Sequence, residues 1–157
     1  MTASPAVKRP GAEVSRRRAA RLAAVQAIYQ IDLTGAEAAS VSSEFRLHRL
    51  GRDADRNLFD DLVQGTWTRR REIDQALSGA LVESWPLQRL DRTLRAIMRV
   101  GVYELSAHEA VPAPVVINEY VDLAHAFFGG KEPGMVNAVL DRLARSLRAD
   151  ESAGERG

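Results

Sequence analysis

Residues Ser15–Thr34 read SRRRAARLAAVQAIYQIDLT and combine a basic start with an amphipathic continuation. Ala19, Ala20, Ala23, Ala24 and Ala27 are strong helix formers. Leu22, Val25, Ile28 or Tyr29, and Leu33 recur at steps of three and four, which places them in one apolar stripe that must be buried. Ser15 suits the N-cap, because its hydroxyl accepts a free backbone N–H of the first turn. On this reading Arg16, Arg17, Arg18 and Arg21 crowd the positive end of the helix macrodipole, which is mildly unfavourable unless an anion joins them. Lys8 and Arg9 lie just upstream, and Glu13 is the one acid nearby, so residues 8–21 carry six positive charges against one negative. Phosphate suits both guanidinium groups and free N–H groups. A solvated basic turn without a partner is the competing reading of the charge alone.

Working outward, Met1 to Val14 contains Pro5, Pro10 and Gly11 with no apolar period and reads as a flexible basic arm. Gly35 suits a helix C-cap. Residues 36–43 read as a polar linker and 44–50 as a short helix. Residues 53–81 read as one long helix through Leu58, Phe59, Leu62, Val63, Thr66, Arg70, Ile73, Leu77 and Leu81, with Arg70 the one polar interruption and Gly65 marking a close crossing or a bend. Asp60 and Asp61 point roughly 100° apart on a helix, which favours a solvated face over a paired-carboxylate site. Arg69–Arg71 reads as a salt-bridging face, and Trp85 as a packing anchor. Asp91 caps DRTLRAIMRVGVYELSA, whose Leu94, Ile97, Met98, Val102 and Leu105 make this the expected central helix, with Gly101 at a second close approach. Pro112 and Pro114 open the next helix. Gly129–Gly130 ends it, and Glu132–Pro133 opens the last. Asn118, Glu119 and Asn137 suit roles in satisfying backbone or neighbouring groups.

No stretch alternates with period two, so the fold class is all-α with six to seven helices. The expected organisation is an arm over 1–14, one helical domain over 15–148 and a disordered tail over 149–157. An N-terminal bundle would cover about 15–82 and a C-terminal bundle about 84–148.

The chain has 157 residues and a net charge of only +1, so its basic segment is a local patch. Cysteine is absent, which excludes disulfides, thiolate metal sites and cysteine nucleophiles. His48, His108 and His125 have no metal-ligand spacing, and no phosphate-loop, dinucleotide or nucleophile-elbow motif occurs. No cofactor, metal or enzymatic activity is expected. No apolar run reaches the ~18 residues of a membrane span and no signal peptide is visible, so the expected location is cytoplasmic.

Five blocks in order, RRRAARLAAVQAIYQIDL, LFDDLVQG, LDRTLRAIMRVGVYEL, VPAPVVINE and MVNAVLDRLAR, resemble the bacterial transcription antitermination factor NusB family over roughly Ser15 to Arg148. The resemblance implies two packed three-helix bundles that bind boxA-type single-stranded RNA of ribosomal RNA leaders together with the small-subunit ribosomal protein NusE. That assembly would join RNA polymerase with other Nus factors. It implies RNA contacts at Arg16, Arg17, Arg18 and Arg21, and near Lys131 and Glu132, with Lys8 and Arg9 adding phosphate contacts from the longer arm. It implies a NusE face that includes Tyr29, Asp91 and Arg95. GGKEPG departs from the family pattern in its Pro and extra Gly. Relatives differ in dimerisation, so a homodimer stays open. Two other readings share this pattern. One is the RNA-binding domain related to the N-terminal domain of rRNA cytosine methyltransferases, whose catalytic domain and Cys this chain lacks. The other is a helical protein-interaction scaffold without RNA.

Overall fold

The computed structural model describes residues 10–82, 85–149 and 151. Among them are seven α-helices and no strand. Lys8, Arg9 and the rest of 1–9 lie outside the described residues, as do 152–157 of the expected tail.

Helix α1 spans Pro10–Thr34. It therefore starts five residues before the expected Ser15, which lies inside the helix. Glu13 places an acid in the first turn, at the positive end of the macrodipole. The arginines then begin two turns in, beyond the first turn where the dipole acts, so the unfavourable cation–dipole arrangement expected of them does not arise. Residues 11–19 are exposed, and from Ala20 onward α1 buries Ala20, Ala23, Ala24, Val25, Ala27, Ile28 and Ile31. Its C-terminus closes as expected: Gly35 is left-handed at φ 73° and donates to the Ile31 carbonyl at 2.9 Å.

The segment expected to be a linker is helical. Helix α2 spans Ala38–Glu44 and continues into a π turn over Phe45–Arg49. Val41 and Phe45, four apart, bury one face, and Phe45 stacks on Phe59 with centroids 5.8 Å apart. Serines between the apolar positions hid this period.

The expected single helix over 53–81 is two: α3, Arg56–Thr68, and α4, Arg70–Ala80, broken at Arg69 (φ −97°, ψ 14°). Arg70 donates to the Trp67 carbonyl at 2.8 Å, which satisfies an acceptor at the end of α3. Both helices face the same core, so the apolar stripe runs through the break. Asp60 accepts from Ser42 and Arg46, whereas Asp61 accepts from the Tyr103 hydroxyl and pairs with His108. They point apart as expected, but each serves a neighbouring element rather than solvent. Trp85 is more than one-third exposed, and Leu87 is the buried residue of that segment.

Helix α5, Arg92–Ala107, is buried continuously from Leu94 to Leu105. Asp91 caps it, with Oδ1 accepting from the N–H groups of Thr93 at 2.7 Å and Leu94 at 3.3 Å. Helices α6, Ala113–Phe127, and α7, Glu132–Leu147, follow. α1, α2 and α3 form one group and α5, α6 and α7 the other, with α1 and α3 resting on α5. α4 packs chiefly on α5 and α7, so packing divides the chain near Arg69 rather than near residues 82–84. A Cβ on Gly65 would overlap the Tyr103 ring, and one on Gly101 would lie 3.0 Å from Leu140 Cδ1. Both glycines thus mark close crossings of α5.

Arg148, just past α7, is buried. It donates to the carbonyls of Leu105 (2.6 Å), Val111 (2.9 Å) and His108 (2.9 Å), gathering the α5–α6 connection onto one guanidinium. Its Nη1 also donates to Glu151, whose other oxygen accepts from the Ala113 N–H at the start of α6. Glu151 therefore belongs to the ordered body, not to the disordered tail expected from residue 149. These two bonds hold its carboxyl below the usual carboxylate range, the Ala113 N–H being the larger influence.

Candidate nucleic-acid interface

One helix turns one run of arginines into two populations. Arg16, Arg17 and Arg18 lie on the exposed portion of α1. Arg16 joins the end of the helix to the body through its carbonyl, which accepts from the Asp55 N–H at 3.1 Å. No ion pair to Arg16 or Arg17 is present among the described residues. Arg17 lines a groove of about 360 Å³ between α1, the start of α3 and the end of α5, with Asp55, Asn57, Asp61 and His108 opposite. Arg18 donates from Nε to both carboxylate oxygens of Glu119 on α6, at 3.2 Å each.

Arg21 was expected with the phosphate-facing set, and the structure buries it at 4% exposure. It lies four residues before Val25 and seven before Ile28, on the core-facing stripe. Its Nε and Nη2 grip Glu104 at 2.9 and 2.7 Å, and Tyr120 donates to the same carboxylate at 2.7 Å. Burial alone would lower the Arg21 pKa, but the hydrogen bond and charge of Glu104 more than offset it, so the pKa is raised and the group stays charged. Burial, then Glu104, pushes the Tyr120 hydroxyl well above its ordinary value. Arg21 is thus the inner anchor of the basic segment and not a free phosphate ligand.

Lys131, exposed, and Glu132, half-buried, open α7. No hydrogen bond or ion pair among the described residues joins them to Arg16–Arg18.

Of the expected partner-binding residues, Tyr29 lines a groove, Asp91 is exposed and Arg95 is not. Tyr29 lines a largely apolar groove of about 300 Å³ with Val25, Gln26, Leu33, Thr93 and Phe127. Leu33 and Phe127 are 52% and 43% exposed there. Asp91 is exposed two residues before Thr93, with Oδ1 committed to the cap. Arg95 is buried instead. It donates to Asp32 at 2.9 Å and to the Gln88 carbonyl at 3.3 Å, in a cluster where Arg99 grips Asp74 at 2.8 and 2.9 Å. Burial opposes the charge of Arg99, and Asp74, then Asp32, raises its pKa regardless.

Glu119, expected to satisfy backbone or neighbouring groups, is the seventh residue of α6 and serves instead as an ion-pair partner, which the sequence does not show. Sequence reasoning also missed the pairing of Glu104 with Arg21. Glu104 is the one acid of α5, on an otherwise apolar face, which signals a paired carboxylate without naming its partner.

An all-helical protein of two packed bundles, with an exposed run of arginines on the helix that also lines an apolar groove, has the architecture of a nucleic-acid-binding adaptor. The family is specific. A sequence model of the NusB family matches residues 18–145. The transcription antitermination protein NusB of Rhodopseudomonas palustris (strain BisB18) is 48% identical over 147 residues, covering 88% of this chain and 87% of its own. That of Bradyrhizobium sp. (strain BTAi1) is 50% identical with the same coverage. Among solved structures, T. maritima NusB superposes with a TM-score of 0.73 at 27% identity, covering 88% of this chain and 93% of its own. The NusB of a complex of NusB and NusE with double-stranded RNA gives 0.72 at 25%, covering 84% and 98%. The chain belongs to the NusB family.

Proposed function

We propose that this protein is a transcription antitermination factor that binds boxA-type RNA of ribosomal RNA leaders together with ribosomal protein NusE, in the cytoplasm, and acts on elongating RNA polymerase. The observation that carries the reading is the division of labour along α1. Its exposed end presents Arg16, Arg17 and Arg18, and three turns further on it presents Tyr29 and Leu33 in the apolar groove. One rigid helix thereby holds a phosphate-binding surface at a fixed distance from a protein-docking surface. A solved complex of NusB and NusE with double-stranded RNA supports the reading that one protein of this fold engages both an RNA and a protein partner. Relatives that bear the antitermination name match over most of their own length, which favours this reading over a methyltransferase domain.

Phosphate contacts supply affinity, and contacts to base edges and stacking supply sequence choice. Each arginine on a phosphate of single-stranded RNA contributes about 0.7 to the slope of log affinity against log salt. Changing Arg16, Arg17 and Arg18 together to Ala should flatten that slope by about 2. It should weaken matched and scrambled RNA alike and leave the fold intact. A salt titration of wild type and triple variant with NusE present tests this, and unchanged slopes and affinities would refute it. Asp91→Lys should weaken NusE binding. Asp91→Asn keeps the cap and separates lost charge from lost stability, and normal NusE binding by both would move the partner surface elsewhere.

A further inference from the structure

We infer that Glu119 is a positioning residue of the RNA surface, gripping Arg18 by Nε so that the outer edge of its guanidinium faces the phosphate. The inference rests on the RNA-binding reading of α1.

Glu119 comes from α6, 101 residues from Arg18 in the chain, and its side chain is only 11% exposed, against 58% for Arg18. It is therefore a fixed post and Arg18 a mobile arm held to it. Both carboxylate oxygens engage the same donor, Nε, at 3.2 Å. Nη1 and Nη2 of Arg18 make no hydrogen bond among the described residues. A guanidinium offers five N–H donors in one plane, and the edge between Nη1 and Nη2 matches two phosphate oxygens. With Nε taken, that edge is the one left for an incoming anion.

The inner side of Glu119 is tied down as well. Its Oε2 lies 3.6 Å from Arg21 Nη1, while the other donors of Arg21 are held by Glu104. A buried ion pair thus backs the post, and the order runs outward from Glu104 through Arg21 and Glu119 to Arg18. An exposed arginine without such a partner samples many rotamers, and binding must restrict them; ordering it beforehand removes that cost. Glu119 also repels phosphate. The phosphate would sit across the width of the guanidinium on the solvent side, where water and salt screen the repulsion, so positioning dominates.

The test measures affinity for a boxA-type single-stranded RNA with NusE present. It compares wild type, Glu119→Gln, Glu119→Ala, Arg18→Ala, Arg18→Ala/Glu119→Gln and Arg16→Ala/Arg17→Ala, with a thermal melt of each. Glu119→Gln should lower affinity by about threefold or more, Glu119→Ala should lower it further, and the Glu119→Gln loss should vanish once Arg18 is Ala. That dependence on Arg18 distinguishes positioning from a general loss of structure. Tighter binding by Glu119→Gln with a steeper salt slope would mean that Glu119 competes with phosphate, and would overturn the inference. Wild-type affinity in Glu119→Gln, or a loss that persists without Arg18, would overturn it too. If Arg16→Ala/Arg17→Ala also binds normally, the RNA-binding reading falls; if that variant binds weakly, the reading stands and only the role of Glu119 is rejected.

Discussion

Arg16 and Arg21 are five residues apart in a single basic run, yet they make opposite predictions. Arg21→Ala leaves Glu104 buried without its cation and removes a partner of the Tyr120–Glu104 network. Breaking a buried pair from one side costs about 3–5 kcal/mol, so denaturant unfolding should show a loss of that order. Arg16→Ala touches no such partner and should stay within about 0.5 kcal/mol. Tyr103 allows a second test. Burial, then the bond to Asp61, pushes its pKa up to about 12. The folded state therefore keeps a proton that the unfolded chain releases near 10. This stabilisation is complete below pH 10 and is lost as pH rises from 10 towards 12. Tyr103→Phe should reduce that alkaline loss in melts between pH 9 and 12. The sequence showed that arginines cluster, but the stripe read from it began at Leu22 and left Arg21 with the exposed set. It could not show that the matching acid lies 83 residues away on α5, because ion-pair partners leave no local pattern.

At the level of elements, the helices with strong punctuation were legible. Asp91 before α5, Gly35 after α1 and the prolines before α6 act through their own backbone chemistry, so local residues suffice to place those ends. α2 and the break at Arg69 were not legible, because packing partners decide both. α2 persists through two buried residues, and α4 diverges from α3 to reach α5 and α7. The crossing at Gly65 is the clearest consequence of that packing. Gly65→Ala would drive a methyl into a ring whose hydroxyl is bonded to Asp61. It should destabilise by about 1–3 kcal/mol or more, although Ala is the better helix former by about 1 kcal/mol. If overlap is the cause, replacing Tyr103 by Leu should relieve part of the penalty in a double-mutant cycle. Equal or greater stability of Gly65→Ala alone would show that the ring can move aside.

Across the whole molecule, α5 is the element on which both groups of helices rest, as its unbroken apolar stripe led one to expect. Leu94→Ala or Ile97→Ala should cost about 2–5 kcal/mol through lost burial and the cavity left behind. A change in unfolding midpoint worth less than half a kilocalorie per mole would argue against a central role. The division into bundles was only partly legible, since α4 carries an apolar face in either grouping and its sequence does not say which neighbours cover it. The Arg148 clamp adds a dimension of time. Synthesis runs from the N-terminus, so Leu105, whose carbonyl Arg148 binds, is made 43 residues before the guanidinium that satisfies it. At about 5–20 residues per second, roughly 2–9 s of translation separate the two. During that interval the carbonyls at the end of α5 lack the guanidinium that later binds them, so the α5–α6 connection reaches its final bonding only after Arg148 has been made.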